Sequence, residues 1–479
     1  MRGMLRFEMG YYQNLTDTSR VGPVARLYTL DAELLTMRNK LVAVAIAAVL
    51  GTLSLGAHAD DADKLSDIFT QGHVDGELRL YNFNRNYRTE GTPDASDLAG
   101  AALINFNTAS FGGGFSVGGS LVSANSFGTQ SNNVKKIDTT LMGPTNSVTA
   151  LSQAYVQYKN DMFLVRGGYQ YLDTPWMGKS DSRVLPASYN AISVDYKPMT
   201  GWDIYAIRAF TFKSRTSDDY FNDNLYYPST YHGDSSYGNN GSLPLTARAS
   251  NGAWAFGTTY VQGNLKAQGW YYNFLNFAKT GYADGSYVFK NDSGFSPVIG
   301  LQGLTQTGGS DNTLVDTKTK LFGVGGTSVK SRAWGADLGL IIPNGRFDLF
   351  YNKIQQEAGA VGDGAIISPY TTNYATDPLY TTSMIRGLVE EGPGHAYKAK
   401  FAYDFLDKRL QLVVAYAKYT TELRGDSHDS YFDIIYNFSG YLKGFQIRDR
   451  IERSDGGIAN LNPGNDTFTY NRVMLSYKF

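Results

Sequence analysis

Residues Tyr470–Phe479 read YNRVMLSYKF, and this stretch alternates between two kinds of side chain. The apolar and aromatic face carries, in order, Val473, Leu475, Tyr477 and Phe479, and the residues between them are mostly polar. Such alternation is typical of a β-strand with two different faces. We expect this strand to keep its backbone partners as far as Phe479, so that the chain ends within a sheet.

The same alternating unit recurs along most of the chain. From residue 72 onward about eighteen such stretches follow one another. They lie near 72–84, 99–108, 114–124, 149–159, 162–171, 190–197, 202–212, 250–262, 265–275, 280–290, 294–304, 331–342, 346–356, 395–405, 409–421, 429–438, 442–453 and 467–479. Several consecutive stretches are joined by Gly, Asn or Asp, which supply the positive φ that tight hairpins need.

The connections differ in length between the two sides of the predicted sheet. Tight turns join one set of strand ends, and long segments join the other set, at 125–148, 172–189, 213–249, 305–330 and 357–394. This asymmetry is typical of transmembrane barrels of the bacterial outer membrane. We therefore predict an all-β fold, a transmembrane antiparallel β-barrel with 18 strands. A secreted soluble sandwich is the alternative, because its strands alternate in the same way.

Residues 37–59 predict a secretory signal peptide. Two basic residues precede an apolar run, and the small-x-small sequence AHA follows it at 57–59. The run is shorter than the ~20 residues of a transmembrane helix. Because this signal begins at Met37, we interpret residues 1–36 as a mis-assigned N-terminal extension and residues 60–479 as the outer-membrane barrel.

The composition disfavours several classes of function. Residues 1–59 hold six basic and four acidic residues, so their removal changes the formal net charge from −1 to −3. A nucleic-acid partner would favour a strongly basic domain. The chain has no Cys, which excludes a disulfide scaffold. The His residues after residue 59 are scattered, at His73, His232, His395 and His428, and no spacing predicts an enzyme, a cofactor or a metal site.

Charged residues indicate which face of the strands points inward. Lys398 and Lys400 share one face of their strand, and Arg448 and Arg450 share one face of another. A Lys or Arg on the lipid face at mid-membrane costs about 2–4 kcal/mol, whereas a watery lumen accepts it. We therefore expect the polar faces to line a lumen.

Several segments resemble the OprD-type substrate-specific porins of the outer membrane. The first strand, GELRLYNFNRNYR (76–88), is similar to the opening strand of that family, and TPWMGKSDSRVLPASYNA (174–191) carries its S-D-S-R-x-L-P core. WYYNFLNFAKTGYADGSY, YLKGFQIRDRIERSD and NRVMLSYKF are similar to later strands. The resemblance implies an eighteen-stranded barrel and a narrow channel in which the loop at 172–189 folds inward, with Ser182 and Arg183 in the constriction.

The resemblance also implies a row of Arg and Lys on the lumen wall that guides carboxylate-bearing solutes. Transferred to this chain, the row comprises Arg79, Arg85, Arg166, Arg208, Lys398, Lys400, Arg448, Arg450 and Arg472. Arg208 departs from the pattern, because Ile204, Ala206 and Phe210 share its parity and strict alternation turns it toward lipid. The alternative for each residue is that it only keeps the pore hydrated and pairs with one of the acidic residues Asp195, Asp284, Asp337, Asp404 or Glu452.

The expected function is passive, selective diffusion of small carboxylate-bearing solutes such as amino acids or organic acids. A general or sugar-type porin and a structural or adhesive barrel with an occluded lumen are the alternatives. The expected partners are the solute, outer-membrane lipids and the outer-membrane assembly machinery, which would bind the C-terminal strand ending in Phe479. The barrel is expected to be a monomer or a weak trimer.

Overall fold

The structure is a computed structural model that describes residues 64–88, 91–228, 242–308, 311–321, 323–371, 377–457 and 467–479. The predicted extension (1–36) and signal peptide (37–59) lie outside these ranges, as does His232. Among the described residues, no helix is both long and apolar enough to cross a bilayer.

Eighteen antiparallel strands form one closed sheet, which confirms the predicted barrel. Each strand pairs with the next barrel strand along the chain, and the last pairs with the first, Leu80 opposite Leu475. The barrel strands are β1 (His73–Tyr87), β2 (Ala95–Asn107), β3 (Phe115–Asn125), β4 (Ser147–Lys159), β5 (Phe163–Gln170), β8 (Ser188–Met199), β9 (Trp202–Lys213), β10 (Ala253–Gln262), β11 (Leu265–Phe274), β12 (Ala278–Val288), β13 (Ser296–Gly308), β14 (Val329–Ile342), β15 (Gly345–Ile354), β16 (Gly394–Phe405), β17 (Leu410–Thr421), β18 (Gly425–Asn437), β19 (Phe445–Gly456) and β20 (Phe468–Lys478).

Few other elements accompany the barrel in the described part of the chain. Helix α1 (Leu65–Thr70) precedes β1, and α2 (Thr313–Asp316) lies between β13 and β14. Between β5 and β8 a small hairpin is formed by β6 (Asp173–Thr174) and β7 (Met177–Gly178). Short 3-10 turns lie at Val134–Lys136, Val361–Asp363 and Gly440–Leu442.

The two rims of the barrel differ as predicted. The tight turns occupy one rim, and Gly201, Gly263 and Asn344 adopt positive φ there. All five predicted long connections leave the other rim, although the connections β11–β12 and β17–β18 on that rim are short. By the plan of outer-membrane barrels, the rim with the long connections faces the cell exterior.

The outward face of the barrel is apolar. Leu338, Leu301, Tyr397 and Val414 are among the large side chains of this face that are 49–62% exposed. On the same strands the inward parity carries polar and charged side chains such as Asp337 and Lys398. The face assignment made from the cost of charge in lipid is therefore correct for these strands.

Long connections fold into the barrel. Trp176 and Met177 of the connection 171–187 are fully buried, as are Ile366 and Leu388 of the connection 355–393. The inward course of the first connection confirms the expected constriction loop, which we call the first inward loop. The second inward loop, which comprises the described residues 355–371 and 377–393, was not expected from the sequence.

Candidate functional site: the cationic wall of the lumen

Seven of the nine predicted cations lie on the inner face of one continuous stretch of wall. We call this stretch, formed by β16 to β20 and β1, the cationic wall. It carries Lys398 and Lys400 on β16, Arg448 and Arg450 on β19, Arg472 on β20, and Arg79 and Arg85 on β1. The closure of β20 on β1 joins residues from the two ends of the barrel sequence into one surface.

Three neighbouring guanidinium groups share few acidic partners. Arg448 binds Asp433 through two charge-assisted hydrogen bonds, Nε to Oδ1 at 2.8 Å and Nη2 to Oδ2 at 2.5 Å. Nε of Arg450 lies 3.1 Å from the same carboxylate. Arg450 stands directly opposite Arg472 in the register of β19 and β20. The Asp433 carboxylate therefore pairs with two arginines, and a third arginine, Arg472, lies next to them.

Arg472 is fully buried, and its three guanidinium nitrogens have no hydrogen-bond partner among the described residues. Its guanidinium carbon lies 4.2 Å from the ring centroid of Tyr470 and 5.0 Å from that of Phe83. Such stacking is attractive but leaves the N–H donors unused. Arg472 therefore adds positive charge to the wall without an acceptor for its guanidinium N–H groups among the described residues.

Arg79 joins the wall to the first inward loop. Its Nη1 and Nη2 lie 2.7 Å and 3.0 Å from the two carboxylate oxygens of Asp181, and Nη2 also lies 2.8 Å from Glu77. The carbonyl groups of Arg183 and Val184 accept from the same guanidinium at 3.1 Å and 3.3 Å. Arg79 is consequently an anchor for the loop as well as a wall residue.

Arg85 and Arg183 approach another carboxylate, that of Asp138 in the connection between β3 and β4. Nη2 of Arg85 lies 4.0 Å from Oδ1 of Asp138. Burial alone would raise the pKa of Asp138, but Arg85, the hydroxyls of Thr140 and Tyr470, and Arg183 outweigh burial and lower it. The carboxylate of Asp138, in a connecting loop, thus balances part of the positive charge of the cationic wall near Arg85.

The predicted constriction residues lie in the first inward loop. Arg183 is buried with its guanidinium carbon 5.7 Å from the ring centroid of Phe83. The Ser182 hydroxyl accepts hydrogen bonds from Arg183 and from Arg215, each at 3.1 Å. Their placement against the wall agrees with the expected constriction, and their role in selecting solutes stays a prediction.

The two wall lysines have different surroundings. Nζ of Lys398 donates to the Thr382 carbonyl of the second inward loop at 2.7 Å and lies 4.8 Å from the Phe350 ring centroid. Lys400 stands opposite Asp348 in the sheet register and forms no ion pair with the described residues. Lys398 therefore fastens a loop, whereas Lys400 keeps its charge available to the lumen.

Two predicted residues lie elsewhere. Arg166 faces the lumen from β5, away from the wall, and its Nη2 donates to Gln157 at 2.7 Å while its guanidinium stacks 4.0 Å from the Tyr155 ring. Arg208 is on the outer face, so its assignment to the pore is corrected. It stands opposite Ile192 and Trp254, which are 50% and 43% exposed.

The outward position of Arg208 follows from strict alternation. The bulge in the β8–β9 register lies between Asn190 and Ala191, beyond the Ile192–Arg208 pair, and so does not turn Arg208 inward. Its guanidinium instead donates to the carbonyls of Asn251 and Ala253 near the rim, and stacks on Trp254.

The second inward loop is held against the wall by a buried polar cluster. The Ser383 hydroxyl contacts both Asp429 at 2.5 Å and Glu452 at 3.0 Å, and Ser454 donates to Asp429 at 2.7 Å. Nε of Arg386 lies 3.6 Å from Asp429. The sequence analysis offered Glu452 as a partner of luminal cations but did not place Ser383 or Arg386 beside these acids, because both come from a loop far away in the chain.

Sequence reasoning also missed Arg346, whose side chain is 39% exposed. Its Nη2 lies 2.8 Å from Asp337 and its Nε lies 2.6 Å from Asp348. Asp337 and Asp348 are inward residues of neighbouring strands, and parity along β15 places Arg346 on the same side. The alternation of β15 was the signal that could have found it.

Aromatic residues are also abundant inside the barrel. Trp270, Tyr272 and Phe274 of β11 form an inward stack with centroid spacings of 5.8 Å and 5.4 Å. Tyr370 of the second inward loop packs 5.8 Å from Phe274. These rings are covered by a loop and so form a packed core.

Among the described residues, no group of three or more His, Cys, Asp or Glu side chains could hold a metal ion.

The chain is similar to several solved structures of outer-membrane porins. OccK9 (OpdG) of Pseudomonas aeruginosa matches with a TM-score of 0.69 at 15% identity, over 86% of this chain and 99% of that chain. OpdK of the same organism, solved with vanillate, matches at 0.64 and 16% identity, over 85% and 98%. OccK2 (OpdF), solved with glucuronate, matches at 0.64 and 13% identity, over 85% and 98%.

The chain has the OprD/Occ porin fold. The resemblance inferred from the sequence is thereby confirmed at the level of the fold. No protein-family model and no curated protein matches the chain. A closed barrel with an apolar outer surface pairs its backbone groups without water, as a membrane requires, and single-chain barrels of this kind are outer-membrane proteins. The closed barrel and its apolar outer surface therefore place this chain in a bacterial outer membrane.

Proposed function

We propose that the barrel is a passive channel that selects small carboxylate-bearing solutes. This proposal rests on the positive charge of the cationic wall. Among the described residues, Arg448, Arg450 and Arg472 have only Asp433 within ion-pair distance. Arginine binds carboxylate through paired, charge-assisted hydrogen bonds. Vanillate and glucuronate, named with OpdK and OccK2, are both carboxylates and support this class of solute.

The wall offers several moderate sites in sequence. Arg448 is 29% exposed, and Arg450 is 13% exposed in its side chain. Asp433 already contacts some of the N–H groups of Arg448 and Arg450. A solute carboxylate would therefore bind the remaining N–H groups and displace some of the bonds to Asp433. Such weak, repeated binding allows entry without trapping, which conduction requires. We expect no enzymatic activity from this arrangement.

The test is replacement of Arg448 and Arg450 by Gln together, followed by uptake into liposomes of benzoate and of benzamide. These probes have similar size and differ in charge. We expect benzoate uptake to fall about tenfold or more, since each charge-assisted hydrogen bond contributes about 1.5–3 kcal/mol, and benzamide uptake to change little. Arg453→Gln is the control, because Arg453 lies on the same strand and faces outward.

Equal loss of both probes, or an unchanged preference for benzoate, would contradict selection by the wall. A wild-type barrel that passes no current in a planar bilayer would instead favour the occluded structural barrel. One observation favours this second candidate function, a barrel with an occluded lumen. Inside the lumen, Val184 and Leu185 pack in one apolar cluster with Met384 and Ile385.

The C-terminal strand offers the expected end for the assembly machinery. The Phe479 amide donates to Gly76 at 3.1 Å, and the Gly76 amide donates to Phe479 at 3.0 Å, so the last residue is paired with β1. We propose that this strand is recognised before it pairs, while its edge is still open. A monomer or weak trimer remains the proposed state.

A further inference from the structure

The outer face of the barrel carries a row of basic residues at the rim with the long connections. Six consecutive strands, β14 to β19, each contribute at least one such residue within the four residues nearest that rim. We call this set the basic row, and it consists of Lys330, Arg332, Lys353, His395, Lys418, His428 and Arg453.

The side chains of the basic row point away from the lumen. Arg332, Lys418 and Arg453 are 52–55% exposed. Each residue of the row has the parity of the outward apolar residues of its strand, as Arg332 shares a face with Leu338 and Lys418 shares a face with Val414. The row is therefore separate from the cationic wall inside the barrel.

An aromatic band lies directly below the basic row. Trp334 and Tyr351 have ring centroids 5.0 Å apart, and Tyr351 and Tyr397 are 4.9 Å apart. Tyr416 continues the band, with its ring 6.0 Å from that of His428. Aromatic girdles mark the boundary between hydrocarbon and headgroups. The basic row thus stands at the level of the headgroups of the outer leaflet.

The row keeps an excess of positive charge. Glu357 pairs with Arg332 at 2.5 Å, Asp455 with Arg453 at 2.6 Å, and Asp426 lies 3.8 Å from Lys418. Lys330 beside Arg332 also pairs with Glu357, at 2.7 Å. Lys353 has no ion pair with the described residues. Five Lys and Arg side chains therefore meet three carboxylates, before any charge on the two histidines.

Strands β1 to β4 differ at the same rim. Their outward positions near this rim are occupied by uncharged polar residues, among them Asn84, Asn86, Ser96, Ser147 and Thr149. The other outward strand cations near this rim in the described residues, Arg208 on β9 and Lys279 on β12, are isolated from one another. The continuous run of basic residues on β14 to β19 points to a ligand that binds on one side of the barrel.

We propose that the basic row binds the phosphorylated headgroup of a lipid of the outer leaflet, with its acyl chains against the aromatic band and the apolar face below. A phosphate monoester carries about −1.5 to −2 charge and three acceptor oxygens, and Arg and Lys near a membrane surface each contribute about 1 kcal/mol of attraction to anionic lipid. The occupant is a lipid because the row is continuous with an apolar surface, which a soluble phosphate would not use.

The test is native mass spectrometry of the full barrel in detergent with diphosphoryl lipid A, and with the same lipid dephosphorylated. In the row variant, Lys353, Lys418 and Arg453 are all replaced by Gln. We expect at least about tenfold weaker binding of the phosphorylated lipid to this variant than to the wild type. The control replaces the exposed turn residues Lys290, Lys408 and Lys443 of the opposite rim by Gln, and should bind as the wild type.

Three results would overturn the proposal: equal binding by the row variant and the control, equal binding of the dephosphorylated lipid by the wild type, or full displacement of the lipid by millimolar inorganic phosphate. A variant with Lys353→Arg, Lys418→Arg and Arg453→Lys keeps the charges and should keep the binding. This variant separates loss of charge from loss of fold. Solute uptake, which depends on the lumen, should be the same in all variants.

Discussion

The contact between Arg79 and Asp181 holds the first inward loop against the barrel wall, and Asp181→Asn is expected to loosen it. The substitution keeps the size of the side chain and removes its charge. The guanidinium of Arg79 is 4% exposed and the Asp181 side chain is 28% exposed, so the pair is largely shielded from water. An amide in place of the carboxylate can accept with one oxygen only.

The magnitude follows from the two hydrogen bonds at 2.7 Å and 3.0 Å. A hydrogen bond to a charged group contributes about 1.5–3 kcal/mol. Arg79 keeps Glu77 and two loop carbonyls as acceptors, so the loss should correspond to one such bond. The population of the undocked loop should then rise roughly 10–100-fold, since 1.4 kcal/mol corresponds to tenfold in an equilibrium constant.

Hydrogen exchange of the peptide 171–187 measures this population, and single-channel recording measures its effect on current. We expect faster exchange and a noisier, larger current for Asp181→Asn. Asp173→Asn is the matched control, because Asp173 lies in the same loop, is exposed and has no side-chain hydrogen bond with the described residues. If the two variants exchange and conduct alike, the anchor role of Arg79 is wrong.

Two further outcomes are expected. Gly257→Ala should lower the free energy of unfolding by about 1–3 kcal/mol, because a Cβ there would lie 2.2 Å from the Trp270 ring. Gly269→Ala is the control and should be tolerated, because no atom lies within 4 Å of the Cβ that it adds. Equal denaturation midpoints for the two variants would refute this. Burial raises the pKa of Asp377 to about 7. A raised carboxyl pKa stabilises the docked second inward loop most below about pH 4, its ordinary range, and this stabilisation is lost as the pH rises through 7. Exchange of 377–391, corrected for the intrinsic pH effect, should increase from pH 5 to 8, and Asp377→Asn should remove that increase; a pH dependence unchanged by Asp377→Asn would contradict it.

The barrel itself could be predicted because its determinants are local. Alternation fixes the face of each residue, and the turns fix where strands end, so the expected strands agree with the observed ones to within a few residues. The largest differences are of four residues: β2 and β18 begin four residues before the expected positions, at Ala95 and Gly425, and β13 ends four residues after its expected end, at Gly308. Extra polar residues at those strand ends hide the alternation.

The site could be predicted only in part, because its partners come from remote segments. Alternation placed Arg448 and Arg450 inside, but it could not reveal that both share Asp433, which depends on the register of β18 and β19. Docking of the second inward loop depends on Ser383 meeting Asp429 and Glu452, and no local pattern encodes that meeting. For Arg208 the local rule was right, and the position transferred from family resemblance was wrong.

The two inward loops are supplied by widely separated parts of the chain, and their side chains meet in one apolar cluster with residues of β1 and β20. Because the cluster contains side chains of both β1 and β20, it is complete only after these two strands have paired. The entropic cost of bringing such distant parts of the chain together comes before any gain from their contacts. We therefore expect the lumen to narrow late in biogenesis, after β20 has paired with β1. A newly closed barrel would then have a wide lumen until both inward loops have docked. A cell in which the docking of either loop is slowed should therefore lose its permeability barrier before it loses the protein.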